Sequence, residues 1–185
     1  MDDYRININY AKALFLVASE TQQLDAVCDD MRLVNGVCKE NHVLNVIFAN
    51  PVIREDKKVA ILDDLFGQRI TKLSSLFLGF VVKKRRAVNL KGISNAFIEL
   101  YREERGIVLS RLVTATDVER ETLEAVRKAL EAYSQKRVEL ESAVDEDILG
   151  GFSLEFENNK YDATISSQIA KLQKEFSKNV YESKL

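Results

Sequence analysis

The sequence predicts an α+β protein in which an N-terminal six-helix bundle is followed by a small C-terminal α+β domain. Apolar residues recur with a helical period through the first hundred residues, and an alternation typical of strands begins after Gly106. One proline and seven glycines among 185 residues suit long helices joined by few irregular loops. We therefore expect a boundary near Gly106, with an all-helical domain over residues 1–105 and an α+β domain over residues 106–185.

Six segments of the N-terminal part carry apolar residues three or four positions apart, as one face of an α-helix requires. The third segment ends before Pro51, because the residue before a proline is biased away from helix. Gly67 is predicted to cap the end of the fourth. The stripes, in chain order, are Ile6, Tyr10, Ala13, Leu14 and Val17; Leu24, Val27, Cys28, Met31 and Val34; Val43 to Phe48; Val59, Leu62, Leu65 and Phe66; Leu73, Leu76, Phe77, Phe80 and Val81; and Ile93, Ala96, Phe97, Leu100 and Tyr101.

The first and fifth segments are more apolar than a single buried stripe requires. The additional residues are Ala11, Phe15, Leu16 and Ala18 in the first segment and Leu78 and Val82 in the fifth. A helix that is apolar most of the way round must be covered on two sides. Either another helix of the bundle or an outside partner can supply the second cover, and the sequence leaves both open.

Strand patterns follow Gly106. Ile107 to Thr114 alternates with apolar residues on both faces, which predicts a strand covered on both sides. Thr116 and Glu119 form a capping-box pattern, which predicts a helix whose apolar side contains Leu123, Val126, Leu130 and Tyr133. A second strand is expected over Arg137 to Ala143.

The last forty residues predict a hairpin and a helix. Phe152, Leu154 and Phe156 fall on one face of a strand, and Asn158-Asn159 supplies a two-residue turn. Thr164 is placed to cap a final helix. The apolar stripe of that helix is Ile165, Ile169, Leu172 and Phe176.

Composition excludes several classes of protein. With 27 Lys and Arg against 29 Asp and Glu, the net charge is −2, so no global field favours polyanions. The longest apolar run, Leu76 to Val82, is far below the roughly 20 residues of a membrane span. Asp2 and Asp3 are unlike the basic start of a targeting segment. Two cysteines in a chain of this size favour a reducing compartment.

No residue pattern predicts a catalytic, metal or cofactor site. Cys28, Cys38 and His42 lack the paired spacing of structural zinc ligands, and a thiol on an apolar stripe acts as a small hydrophobe. His42 is the only histidine, and no nucleophile motif accompanies it. Asp145, Glu146 and Asp147 lack calcium-loop spacing and indicate a solvated turn. Gly150-Gly151 fits no phosphate-binding motif.

The run Lys83-Lys84-Arg85-Arg86 is the one strongly basic cluster in the sequence. One interpretation is contact with nucleic acid or an anionic membrane surface. The alternative is structural, since the run follows the apolar fifth helix, where cations offset the negative end of the helix dipole. No aromatic residues are interleaved with it, which favours the structural interpretation or a rim contact.

Several motifs in a fixed order resemble one protein family. Asp145 to Phe152, followed by a hairpin and Asp162-Ala163-Thr164, is similar to the C-terminal signature of the ATP synthase delta subunit, whose mitochondrial counterpart is the oligomycin-sensitivity-conferring protein. Thr164 stands where serine is usual. Tyr10 to Phe15 resembles the first helix of that family. Asn50-Pro51, the Lys83–Arg86 run and Ala96 to Gly106 complete the pattern.

The resemblance implies a non-catalytic stator subunit of an F-type ATP synthase. The helical domain would bind the N-terminal helix of an alpha subunit in a groove between its first and fifth helices, and the C-terminal domain would bind the peripheral-stalk b subunits. Carried onto this sequence, the groove contains Tyr10, Ala13, Leu14, Val17, Leu76 and Phe80. The stalk surface contains Ile165, Ile169, Leu172 and Phe176.

The same resemblance implies one copy per complex, peripheral to the cytoplasmic face of a bacterial inner membrane, with no membrane insertion, no nucleic acid and no cofactor. The alternative function, from a different class, is a small helical nucleic-acid-binding or regulatory module that uses Lys83 to Arg86.

Overall fold

The computed structural model describes residues 2–145, 147–157 and 159–178, with side chains from Asp3 to Lys174 within those ranges. Glu146 of the acidic run and Asn158 of the predicted hairpin turn lie outside the described residues. The chain divides into two compact units, one that ends at Glu104 and one that begins at Arg105. The helices and the mixed sheet confirm the α+β class predicted from the sequence.

The regular secondary structure described in the N-terminal unit is entirely helical. Leu62 and Phe66 of the fourth helix are buried, whereas Leu65 from its predicted stripe is exposed. The fourth helix ends at Phe66, and the Gly67 amide donates to the carbonyl of Asp63 at 2.8 Å. The helices are α1 Asp2–Glu20, α2 Leu24–Glu40, α3 His42–Ala49, α4 Glu55–Phe66, α5 Lys72–Lys83 and α6 Leu90–Arg105, with a short 3₁₀ helix Ala87–Asn89 before α6.

One apolar core joins these helices. Its largest fully buried side chains are Phe66, Phe97, Met31, Leu90 and Ile93, which come from α2, α4 and α6. The predicted stripes of α2 and α6 face this core. Burying a side chain of this size stabilises the fold by about 1.5–3 kcal/mol relative to leaving it exposed.

The buried face of α1 differs from the predicted stripe. Ala11, Leu14 and Ala18 face the core, whereas Ala13 and Val17 are exposed. Residues expected to lie outside the main stripe therefore form most of the buried face. The helix carries apolar residues over more than half of its circumference, so its own pattern does not fix its rotation.

The fifth helix is also rotated relative to its predicted stripe. Leu78, Val81 and Val82 are buried, and Leu76 and Phe80 are exposed. As in α1, the neighbouring helices decide which apolar residues are covered. The remaining apolar residues of both helices stay in contact with solvent.

Buried polar groups fix the positions of helix ends. Asp30 on α2 accepts hydrogen bonds from the backbone N–H and the hydroxyl of Thr71, at 2.9 and 2.7 Å. Thr71 in turn caps α5, because its Oγ1 accepts from the Ser74 amide at 3.3 Å. Lys58 is buried and donates from Nζ to the Phe48 carbonyl at 2.8 Å, which satisfies a carbonyl in the last turn of α3.

The C-terminal unit is built on a four-stranded mixed sheet. Its elements are β1 Ile107–Thr114, α7 Arg120–Ser134, β2 Arg137–Val144, β3 Phe152–Phe156, β4 Asn159–Asp162 and α8 Ile165–Lys178. The strand order is β2-β1-β3-β4, with β1 parallel to β2 and antiparallel to β3. Helix α7 connects the two parallel strands, as a parallel pair requires.

The first strand is covered on one face rather than on both. Ser110, Leu112 and Thr114 are buried, but Leu109 and Arg111 on the opposite face are exposed. The prediction of a doubly covered strand was therefore wrong. Ile107, Leu109 and Val113 on one face and Leu112 on the other suggested two buried faces, yet the described part of the unit covers only the Leu112 face fully.

Two local predictions in this unit need correction. The capping box is wrong: α7 begins at Arg120, Glu119 makes no side-chain capping bond, and the Thr116 carbonyl instead accepts from the Thr114 hydroxyl at 2.8 Å. The hairpin turn lies one residue earlier than predicted, because Phe156 pairs with Asn159 and Glu157 takes a positive φ of 45°.

Candidate partner-binding surfaces

The exposed apolar side chains of α1 and α5 meet at one place in the N-terminal unit. The rings of Tyr10 and Phe80 contact each other with centroids 6.2 Å apart. Tyr10 is half-buried, and Phe80 keeps 48% of its surface exposed. Leu76, one turn before Phe80, is 65% exposed, and Val17 on the Tyr10 face of α1 is 43% exposed. We call this surface the α1–α5 groove.

One of the six residues predicted for the groove lies elsewhere. Leu14 is only 2% exposed and packs in the core on the buried face of α1, away from the groove surface. Tyr10, Ala13 and Val17 share one face of α1 because their spacing is three and four residues. The substitution Leu14→Asp would place a carboxylate in the core, and it is therefore a test of folding and not of binding.

The start of α1 is fixed beside the start of α6. The side-chain Nδ2 of Asn89 donates to Asp3 Oδ1 at 3.1 Å and to Asn7 Oδ1 at 3.2 Å. Gly92 allows this approach, because a Cβ at that position would collide with the Asn7 side chain. The contacts hold the N-terminal half of α1, which contains Tyr10, in place next to Phe80.

The basic run at the end of α5 has a structural role. The Arg86 amide donates to the Val81 carbonyl at 3.0 Å, and the Arg85 amide donates to the Val82 carbonyl at 2.8 Å. Arg85 has a φ of +60°, so the helix ends in the left-handed motif that glycine usually occupies. Arg85 Nε also donates to Glu55 Oε1 at 2.8 Å.

Lys84 is an additional groove residue that the apolar pattern of the sequence did not predict. The Lys84 ammonium lies over the Phe80 ring, 5.5 Å from its centroid. The sequence carried a signal for this contact, since Lys84 follows Phe80 by four residues and thus lies on the same helix face. Lys72 precedes Leu76 by four residues and is exposed at the other end of that face.

The apolar stripe of α8 is a second exposed surface. Ile165, Ile169 and Leu172 are 44%, 45% and 51% exposed. They lie on one face of the helix, so they leave a continuous apolar strip in contact with solvent. The side chain of the fourth predicted residue, Phe176, lies outside the described residues.

A carboxylate anchors the start of α8. Asp162 Oδ2 accepts from the Ser167 hydroxyl at 2.7 Å, and Oδ1 accepts from the Thr164 amide and hydroxyl at 3.0 and 2.7 Å. These hydrogen bonds, the one from Ser167 foremost, lower the pKa of Asp162 to about 2. Thr164 caps the helix as predicted, because its Oγ1 accepts from the Ser167 amide at 3.3 Å.

The double glycine brings the hairpin against the start of α8. Gly151 has a φ of +85°, and a Cβ there would collide with the Ala163 carbonyl. The Ile165 amide donates to the Gly150 carbonyl at 3.0 Å. These positions need glycine for backbone conformation and close approach, which agrees with the interpretation of this segment as a turn.

The residues considered for metal binding do not come together. Cys28 and Cys38 are buried and His42 is exposed, and the described residues contain no group of three or more potential metal ligands. Burial raises the pKa of the Cys38 thiol, and nearby Lys91 offsets only part of this rise.

The two described residues of the acidic run, Asp145 and Asp147, lie in a turn. Asp145 Oδ1 accepts from the Asp147 amide at 3.1 Å, and the Asp145 carbonyl accepts from the Ile148 amide at 3.2 Å.

Within the described chain, no helix is long and apolar enough to cross a membrane.

Comparison with known proteins supports a single family. The sequence model described as ATP synthase delta (OSCP) subunit matches residues 6–176. The chain is similar to ATP synthase subunit delta of Cytophaga hutchinsonii, with 36% identity over 97% of this chain and 98% of that protein. It is also similar to the same subunit of Salinibacter ruber, with 30% identity over 93% and 90% of the two chains.

The fold matches a solved structure as well. A chain in the Toxoplasma gondii mitochondrial ATP synthase hexamer superposes with a TM-score of 0.72, at 20% sequence identity, over 92% of this chain and 97% of the other. At that identity the match concerns the fold alone.

Two compact units that each leave an apolar helix face exposed are typical of proteins that bind other proteins. The structure thus defines an α+β protein with two candidate surfaces for binding other proteins. Because the family model spans most of the sequence, the chain belongs to the ATP synthase delta (OSCP) subunit family. It is a structural, non-catalytic subunit of an ATP synthase complex.

Proposed function

We propose that this protein links the catalytic head of an F-type ATP synthase to its peripheral stalk and thereby resists rotor torque during proton-driven ATP synthesis. The six N-terminal helices act as one bundle that receives the N-terminal helix of an alpha subunit. The C-terminal α+β domain, residues 106–185, binds the b subunits. One copy serves each complex, on the cytoplasmic face of a bacterial inner membrane.

The α1–α5 groove is the observation that carries this proposal. Leu76 and Phe80 are exposed although each is a large apolar side chain on a helix that otherwise packs into the core. Docking an amphipathic helix over them would remove this apolar surface from water. Tyr10, Ala13 and Val17 would form the opposite wall.

The stripe of α8 supports the second contact. Ile165, Ile169 and Leu172 could all be covered by one helix of a b subunit, with Phe176 continuing the stripe in the sequence. Asp162 holds the first turn of α8 and so presents the stripe in a fixed orientation. Two contacts on one chain raise the effective concentration of each partner, so neither contact needs to be tight alone.

A pull-down from native membranes tests both contacts. We expect the wild-type chain to retain alpha and b subunits. Phe80→Asp should lose the alpha subunit and keep b, whereas Ile169→Asp should lose b and keep alpha. Leu65→Asp, on an exposed apolar position of α4, is the matched control and should retain both. Retention of the alpha subunit by Phe80→Asp would contradict the groove assignment.

The nucleic-acid alternative has no support from the comparisons. The basic run that motivated it ends α5, and Arg85 pairs with Glu55. Salt-dependent retention on RNA or DNA that is lost when Lys83 to Arg86 are neutralised would be needed to revive it.

A further inference from the structure

The charges of the α1–α5 groove are distributed unevenly. Helix α5, with the sequence KLSSLFLGFVVK, contains no acidic residue. Lys72, Leu76, Phe80 and Lys84 follow one another at intervals of four, so a cation lies at each end of the exposed apolar pair. Lys72, Lys83 and Lys84 are all exposed.

Stabilisation of the α5 helix dipole does not explain why a lysine lies at each end of the exposed apolar pair. Lys83 and Lys84 lie at the C-terminal end of α5, where a cation offsets the helix dipole. Lys72 is the first residue of α5, where a cation opposes the dipole. A ligand that carries negative charge at both ends of the apolar pair would be complementary to both.

The opposite wall of the groove, formed by the Tyr10 face of α1, does not carry the positive charge of α5. The exposed cations of α1, Arg5 and Lys12, lie about 140–160° around the helix from Tyr10, whereas the exposed Glu20 lies nearer to it, at about 80°. The Asp3 carboxylate, near the start of α1, already accepts a hydrogen bond from Asn89. The positive charge of the groove therefore belongs to the α5 wall.

We infer that the α1–α5 groove selects an amphipathic helix whose apolar anchors are bracketed by acidic residues on the side that faces α5. Residues 72 and 84 are twelve positions apart, or about 18 Å along a helix. On a partner helix, acids about eleven residues apart span a similar length in about three turns and lie on the same side, with the apolar anchors between them. This inference rests on the proposed function and adds the charge pattern by which the groove recognises its helix.

Three synthetic peptides of about 20 residues, each about 30 Å long as a helix, test the inference on the full-length protein. They share the same apolar anchors and carry Glu, Gln or Lys at the two bracketing positions. Each exposed ion pair changes affinity by up to about fivefold, so we expect the Glu peptide to bind roughly tenfold more tightly than the Gln peptide. The Lys peptide should bind more weakly still.

Salt should remove the difference between the peptides. Raising NaCl from about 0.1 M to about 1 M shortens the Debye length from about 10 Å to about 3 Å, so the three affinities should converge. The variant with Lys72→Glu and Lys84→Glu should reverse the order and prefer the Lys peptide. Lys39→Glu, in the last turn of α2, is the matched control and should leave the order unchanged.

The outcomes separate the inference from the function on which it rests. If all three peptides bind the wild-type protein with equal affinity, the charge pattern is irrelevant and the inference is overturned, while the apolar groove stands. If none of them binds, the groove assignment falls and the inference falls with it. Circular dichroism of each variant establishes that a loss of binding is not a loss of helix.

Discussion

Replacement of Phe80 by alanine provides the most direct measure of the groove. The wild-type side chain keeps 48% of its surface exposed, and a phenylalanine buries about 150–250 Å² when fully covered. Docking a helix over it would thus remove about 100 Å² from water, which at ~25 cal/mol per Å² contributes about 2.5 kcal/mol. Because an alanine would still bury part of this area, we expect Phe80→Ala to weaken binding of the alpha N-terminal helix by up to about 60-fold.

The assay is titration of a fluorescent peptide with the sequence of that alpha helix, followed by anisotropy at fixed salt. Leu65→Ala is the control, because Leu65 is an apolar residue of the same unit with 41% of its surface exposed. A change of no more than about twofold for Phe80→Ala, as for a surface residue outside any contact, would contradict a role for Phe80 in binding the alpha helix.

Four further predictions concern stability, each measured by urea unfolding. Leu14→Ala should cost about 2–5 kcal/mol, because it opens a cavity in the core. Asp30→Ala should cost about 1–3 kcal/mol, because the Thr71 N–H and hydroxyl lose their acceptor. The pKa of Asp162 is lowered to about 2 in the folded state. The contribution of its carboxylate to stability is therefore present above its ordinary pKa of 3.8 and is lost as the pH falls through about 2. Asp162→Asn should remove this pH dependence of the free energy of unfolding. Gly151→Ala should destabilise the C-terminal unit by about 1–3 kcal/mol, because φ there is +85°.

Matched variants separate these effects from general damage. Val17→Ala lies on the exposed face of α1 and should cost much less than Leu14→Ala; equal losses would contradict the burial of Leu14. Ser167→Ala removes the foremost hydrogen bond to Asp162 and should weaken the acid dependence without abolishing it. Gly36→Ala is a helical glycine with open space at its Cβ position and should be tolerated where Gly151→Ala is not. A stability change for Asp30→Ala no larger than that of an exposed acid would mean that the Thr71 contact is solvated.

The predictions from sequence succeeded where one face of an element is apolar and the other is polar. In α6, Ile93 and Phe97 are buried as their spacing indicates, because the remaining positions are mostly polar and leave one orientation. The apolar face of β3 was also predictable from its alternation, and its three residues pair with the covered face of β1. Thr164 was identifiable as a cap because capping depends on residues close in the chain.

The predictions failed where several faces compete. In α1, both Leu14 and Val17 belong to apolar positions, and only the neighbouring helices decide that Leu14 is covered and Val17 is not. The predicted groove therefore included one core residue, Leu14, among residues that the structure leaves partly or fully exposed. In β1, Leu109 was expected to be buried, yet it keeps 40% of its surface exposed.

Short stretches of sequence were enough to predict the helical period, the change to strands, the capping threonine and the glycines before the final hairpin, because each depends mainly on residues within a few positions of one another. Which apolar side chains of α1 and α5 are left in solvent could not be predicted in this way, since it depends on contacts between segments far apart in the chain. The ring contact of Tyr10 with Phe80, seventy residues later, is such a contact. The candidate binding surface consists of the residues that the core did not cover.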